Sequence, residues 1–132
     1  MLLRQFISLA DKQTIVVATN NPGKLKEFAL LLPNFKIISQ SSLNISPEEE
    51  LGETFFENSR QKARVASNAS GMVSLGDDSG LIVPALNNLP GLRSARYAHE
   101  NATDEENRQY LRKELEALDL NQTKAYFVCV LV

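Results

Sequence analysis

The sequence of 132 residues contains no tryptophan, one histidine and one cysteine. A single cysteine, Cys129, excludes an intrachain disulfide and fits a reducing compartment. His99, the only histidine, gives little support to a histidine-based catalytic arrangement and reads as a loop residue. No apolar run reaches membrane-spanning length. The mildly apolar start, Met1 to Ala10, is too short for a secretory core and no cleavage site follows it, so the expected location is cytoplasmic and no membrane partner is expected. A basic excess is also missing. The formal net charge is -2, which argues against a nucleic-acid partner. A small anionic ligand remains compatible with that charge, because one lysine and a few backbone N–H groups suffice to bind phosphate. The rest is ordinary for a soluble globular chain, with 43% apolar and 23% charged residues. There is no internal repeat, no low-complexity segment and no linker-like stretch.

Ile15-Val16-Val17-Ala18 is a β-branched run without alternation, which predicts a strand covered on both faces. Asn20-Asn21-Pro22-Gly23 is a turn signal. Lys24 to Leu32 predicts a helix with Leu25, Phe28 and Leu32 on one face, stopped by Pro33. A second strand is expected over Phe35–Ser39. This strand, loop, helix, strand order marks an α/β fold. Further on, Thr54 and Glu57 have capping-box spacing and open a helix expected to reach about Asn68, with Gly71 beyond its end. Two strand pieces, Met72–Leu75 and Leu81–Val83, flank Gly76-Asp77-Asp78-Ser79-Gly80. A loop centred on Leu89-Pro90-Gly91 follows. Thr103 and Glu106 form another capping box, ahead of a helix with Leu111, Leu115 and Leu118 as its apolar stripe. Ala125–Val132 reads as an apolar strand in need of cover on both faces, with Cys129 as a packing residue.

Three groups can carry chemistry. Thr19-Asn20-Asn21-Pro22-Gly23-Lys24 joins a buried strand to a helix, where open α/β sheets form ligand crevices and a helix N-terminus favours phosphate. It is not a P-loop, since only one glycine is present and Leu25 stands where that loop has its Ser or Thr. A plain turn with a surface lysine fits the spacing equally well. The second group is acidic: Glu48-Glu49-Glu50, Glu53, Glu57 and the pair Asp77-Asp78. Mg²⁺ takes oxygen ligands, commonly one or two carboxylates plus phosphates and water. A solvated glutamate face and a simple hairpin turn at Asp77–Gly80 are the competing explanations. The third group is Lys62, Arg93 and Arg96, each within possible reach of a triphosphate, with Arg93 favoured as a surface charge.

Together these segments resemble a known family. Val17 to Lys24 is similar to its opening triphosphate loop, Glu53-Thr54-Phe55-Phe56-Glu57-Asn58 with Lys62-Ala63 to its second-helix motif, and Asp77-Asp78-Ser79-Gly80-Leu81 to its most specific signature. Pro90 to Tyr97 and Ala125 to Leu131 resemble its next loop and strand. Five motifs in order identify the inosine/xanthosine triphosphate pyrophosphatase family. The resemblance implies an α/β fold with a central mixed sheet flanked by helices. It implies hydrolysis of non-standard purine nucleoside triphosphates (ITP, dITP, XTP) to monophosphate and pyrophosphate. It also implies Mg²⁺ held by Glu49, with Glu50 as the alternative, and by Asp78. Asp78 is further implied as proton acceptor for the attacking water, Ser79 as a substrate contact, and Thr19, Asn20, Asn21, Pro22, Gly23 and Lys24 as the phosphate-binding loop. Full-length relatives are expected to be homodimers.

Two departures accompany the resemblance. Residues 1–13 form an extension before the first strand, leaving 14–132 as an incomplete pyrophosphatase domain. Family members also continue past the strand that ends at Val132, into a Gly-rich Phe-Gly-Tyr-Asp segment, a lysine and a Ser-His-Arg motif that recognise the base. The alternative reading is therefore a truncated, non-catalytic fragment that keeps only Mg²⁺-triphosphate binding or partner association. A related pyrophosphatase family acting on other nucleotides ranks lower, because its opening loop favours Ser and Arg over Asn and Lys.

Overall fold

Strand β1, Thr14–Val17, is the most deeply buried element of the computed structural model, which describes residues 13–132. Its β-branched side chains suit a pleated surface covered on both sides. Val16 and Val17 are fully buried. β1 lies between two parallel neighbours, β2 (Lys36–Ser39) and β3 (Ser74–Leu75), so the predicted inner strand is an inner strand. Apart from Gln13, the expected extension lies outside the described residues.

The described chain divides into two compact units. The first comprises 13–51, Asn58–Asp77 and Leu131–Val132; the second comprises Gly52–Glu57 and Asp78–Val130. In the first, helix α1 (Pro22–Leu31) returns the chain from β1 to β2. It begins earlier than the predicted Lys24 because Pro22 is tolerated in the first helical turn and Asn21 caps it. Phe28 is its buried anchor. Helix α2 (Phe55–Ser70) turns small residues inward: Ser59 and Ala66 are fully buried and Ala63 nearly so. Spacings of three and four put these on one helix face, which lets the backbone approach closely. Ala66 joins Val16 and Ala18 in the core, with Ile38 and Leu43 packed beside them. Gly71, at φ +68, ends the helix in the left-handed conformation that glycine takes without penalty.

The second unit holds β4 (Asp77–Val83, whose first residue belongs to the first unit), β5 (Leu89–Pro90) and β6 (Tyr126–Leu131, whose last residue belongs to the first unit), in the order β5-β4-β6, with β5 antiparallel to β4. In place of one central sheet there are two three-stranded sheets, with parallel pairing in the first and antiparallel pairing of β4 with β5 in the second, so both kinds of pairing occur in this α/β protein. Asp77-Asp78-Ser79-Gly80, open to a hairpin-turn reading, is instead the start of a long strand. The break between β3 and β4 is confined to Gly76. Gly80 is packed so that a Cβ would collide with the Gly91 carbonyl and the Phe55 ring. Helix α3 (Asp104–Ala117) opens with the full predicted capping box between Thr103 and Glu106. At α2 the box is displaced: Glu57 N–H donates to Thr54 Oγ1 at 3.1 Å, but the Glu57 carboxylate accepts from the Glu53 N–H at 2.7 Å. Cys129, expected as a packing residue, is exposed. It shares a strand face with Phe127 and Leu131, which are 79% and 49% exposed.

Candidate functional site

The loop after β1 is organised by its own side chains. The Asn21 N–H donates to Thr19 Oγ1 at 3.2 Å, and Asn21 Oδ1 accepts from the N–H groups of Gly23 at 2.8 Å and Lys24 at 3.3 Å. Asn21 is therefore the N-cap of α1. Two N–H groups that sequence reasoning offered to phosphate are already satisfied by its side-chain oxygen. What the loop delivers to the site is the Lys24 ammonium. Asn20, Asn21, Pro22 and Gly23 are exposed, and Lys24 is partly buried.

Lys24 forms an ion pair with the carboxylate of Asp77, whose side chain is 3% exposed. From α2, Lys62 donates to the Asp77 carbonyl at 3.0 Å and pairs with the Glu50 carboxylate at 2.5 Å. Two ammonium groups from different helices thus meet at one residue. The glutamate run lies beside them. Glu48, Glu49, Glu50 and Lys62 line a cavity of about 60 Å³ floored by Ala18 and Val65. Gln61 secures the run by donating to the Glu49 carbonyl at 3.0 Å. Glu49 is thereby held through its backbone, whereas Glu50 presents its side chain to Lys62.

Three glutamates beside one lysine give this cavity a net negative lining. Among the described residues, no group of three or more His, Cys, Asp or Glu side chains is assembled to hold a metal ion.

The structure brings Lys24, Lys62, Glu50 and Asp77 together within the first unit. Asp78 and Ser79 belong to the second unit, on β4, Asp78 buried and Ser79 partly so. Alternation along the strand turns Asp77 and Asp78 to opposite faces. The pair Asp77-Asp78 is a candidate from the sequence, and the resemblance assigns a role only to Asp78, yet it is Asp77 that pairs with Lys24. Arg93 is exposed, as expected, and Arg96 lies 3.8 Å from Glu100. His99 Nε2 lies 3.4 Å from Glu106, away from these groups in sequence and in role. No described helix is long and apolar enough to cross a membrane.

Fold and site define an α/β protein with a lysine–carboxylate centre built around a strand–loop–helix. The sequence pattern of the Ham1 family matches residues 15–132, and the chain belongs to that family. A protein of Haemophilus influenzae named dITP/XTP pyrophosphatase is 50% identical over 123 residues, covering 92% of this chain and 63% of the relative. One of Legionella pneumophila with the same name is 48% identical over 117 residues, covering 89% and 60%. The solved HAM1 protein of Coxiella burnetii superposes with a TM-score of 0.82 at 44% identity, over 90% of this chain and 61% of that one. The Ham1 protein of Staphylococcus aureus gives 0.76 at 42% identity, over 90% and 62%. The chain spans about three-fifths of the length of these relatives.

Proposed function

We propose that this chain belongs to an enzyme that hydrolyses non-standard purine nucleoside triphosphates, such as dITP, ITP and XTP, to the monophosphate and pyrophosphate. The observation that carries the reading is the meeting of Lys24 and Lys62 at Asp77, beside the glutamate-lined cavity. A triphosphate needs its charge neutralised from more than one side, and two ammonium groups from separate helices provide that. The relatives named dITP/XTP pyrophosphatase supply the base preference.

Mg²⁺ is the proposed cofactor, with Glu49 as a carboxylate donor and Glu50 as the alternative; both line the cavity, and Glu50 is already paired with Lys62. Asp78 is carried over as the other carboxylate and as proton acceptor, and Ser79 as a substrate contact. Bound Mg²⁺ would offset charge on the phosphate oxygens during attack by water. Lys24 and Lys62 bind and orient the phosphates, and the cap formed by Asn21 keeps the loop in place for them. A cytoplasmic location and a homodimeric whole protein complete the proposal.

The test is release of pyrophosphate from ITP, dITP, XTP, ATP and GTP, with and without Mg²⁺. For the full-length protein, the expected result is Mg²⁺-dependent pyrophosphate release that favours the hypoxanthine and xanthine substrates; for residues 1–132 alone, which lack the base-recognising motifs, slow release with little discrimination is expected. Asp78→Asn should lower turnover by about 10²-fold or more, as loss of a metal ligand or base does. Orthophosphate as the product, or an Asp78→Asn variant with normal turnover, would sink the mechanism. Triphosphate binding without any release would favour the non-catalytic alternative.

A further inference from the structure

Asp77 offers both of its polar ends to lysines. Its carboxylate, almost wholly buried, pairs with Lys24, and its backbone carbonyl accepts from Lys62 at 3.0 Å. Lys62 is further tied to Glu50 at 2.5 Å. The side chains of Lys24 and Lys62 keep 35% and 23% of their surface exposed, so both remain open to a ligand. A lysine carries its charge on a flexible four-carbon stem, and an anion that binds it must otherwise meet the entropy of fixing that stem. A buried, immobile acceptor meets that cost in advance.

We propose that Asp77 is a positioning residue: it pre-sets the ammonium groups of Lys24 and Lys62 at the spacing that grips adjacent phosphates of an oligophosphate chain. This rests on reading both lysines as triphosphate-binding groups. Two opposed effects of the Asp77 charge decide the outcome. As an anchor, it strengthens the contribution of Lys24 to anion binding. As a neighbouring negative charge, it competes with the ligand for Lys24 and repels it. Burial and the double attachment to both lysines favour the anchor.

The experiment is a double-mutant cycle on the affinity for inorganic tripolyphosphate, without divalent metal, using the whole chain, Lys24→Met, Asp77→Asn and the double variant. Lys24→Met is expected to weaken binding about tenfold in the parent, as loss of a charge-assisted hydrogen bond does. In the Asp77→Asn background the same change should cost less than about threefold, because an unanchored lysine contributes less. Tighter binding by Asp77→Asn, with a larger cost of Lys24→Met, would overturn the proposal and make Asp77 a competing counter-charge. No effect of Lys24→Met in the parent would also overturn it.

A second measurement needs no variant to fold. Acetylation by an N-hydroxysuccinimide ester, read lysine by lysine by mass spectrometry, should be slower at Lys24 and Lys62 than at exposed Lys26 and Lys36. Tripolyphosphate should protect Lys24 and Lys62 with a common midpoint. Protection of neither, or of the two at different concentrations, would overturn the joint placement. Both readouts are independent of turnover. Coupling in the cycle without pyrophosphate release from any nucleotide would defeat the enzymatic reading and leave the role of Asp77 standing.

Discussion

Ser59 donates its hydroxyl to the carbonyl of Gly76 at 2.9 Å, and Gly76 is pressed so closely on the Ser59 carbonyl and Ala63 nitrogen that no Cβ fits there. Gly76 also exchanges two backbone hydrogen bonds with Val132, at 2.8 and 3.1 Å. The contact sets where the chain stands one residue before Asp77, and so where the acceptor for both lysines is placed. Gly76→Ala would force helix α2 away from the β3 end. The expected loss is about 3 kcal/mol, at the upper end for overpacking against backbone, read from urea unfolding. A loss below about 0.5 kcal/mol, the ordinary range for surface changes, would show that the approach is not tight in solution.

Tyr97 donates its hydroxyl to Glu114 at 3.1 Å and stacks edge-on with Tyr110 at 5.0 Å. Burial first, then the Glu114 carboxylate, pushes its pKa from 10.0 up to about 12. The folded state therefore holds the proton more tightly than the unfolded state. The resulting stability is fully present below pH 10 and lost as pH rises towards 12. Subtracting the stability profile of Tyr97→Phe from that of the parent should isolate this decline. In ultraviolet titration, one of the three tyrosines should ionise late. Profiles that run parallel from pH 9 to 12 would contradict the hydrogen bond.

Thr103 caps α3. Its hydroxyl accepts from the Glu106 N–H at 3.2 Å, while the Glu106 carboxylate accepts from the Thr103 N–H at 2.7 Å. Thr103→Ala should cost about 1 kcal/mol. The Thr103 N–H and hydroxyl, and then His99, hold the Glu106 carboxyl below its ordinary value of 4.5. That contribution is present above pH 4.5 and lost as pH falls through the lowered folded value. Glu106→Gln should flatten this part of the acid-unfolding profile. An unchanged acid limb would remove the carboxylate from the cap.

Phe127 and Val83 give a contrast in burial within one sheet. Val83 is 1% exposed and Phe127 79% exposed. Val83→Ala should cost about 2 kcal/mol in lost burial, and Phe127→Ser less than about 0.5 kcal/mol. Denaturation at several protein concentrations measures both. A loss above about 1 kcal/mol for Phe127→Ser would show that this strand face is covered in solution.

Several elements were legible because their signals are local. The β-branched run at Ile15 to Ala18, the cap at Thr103 and Glu106, and the stop at Gly71 each depend on residues within a few positions of one another. Pro33 and Gly71 end helices through backbone geometry alone. The start of α1 was read two residues late, because Pro22 belongs equally to a turn and to a first helical turn. The Asp77–Gly80 stretch was open to a turn reading because its composition favours turns. Pairing with other strands, which composition does not encode, drew it out into β4.

By itself, the sequence determined the α/β class, the helices and the presence of a lysine loop and two acidic groups, since periodicity, capping and residue chemistry act over short range. The tertiary structure decided which charges meet. Lys24 and Lys62 find Asp77 because the loop after β1, helix α2 and the chain at Gly76 bring three distant segments together. It also decided that Asn21 spends its side chain on the helix cap, that Glu50 rather than Glu49 turns to Lys62, and that Cys129 is exposed. A carboxylate looks the same in sequence wherever it points. Its partner is chosen by strand alternation and by how closely small residues let a helix approach, and both are properties of the packed chain.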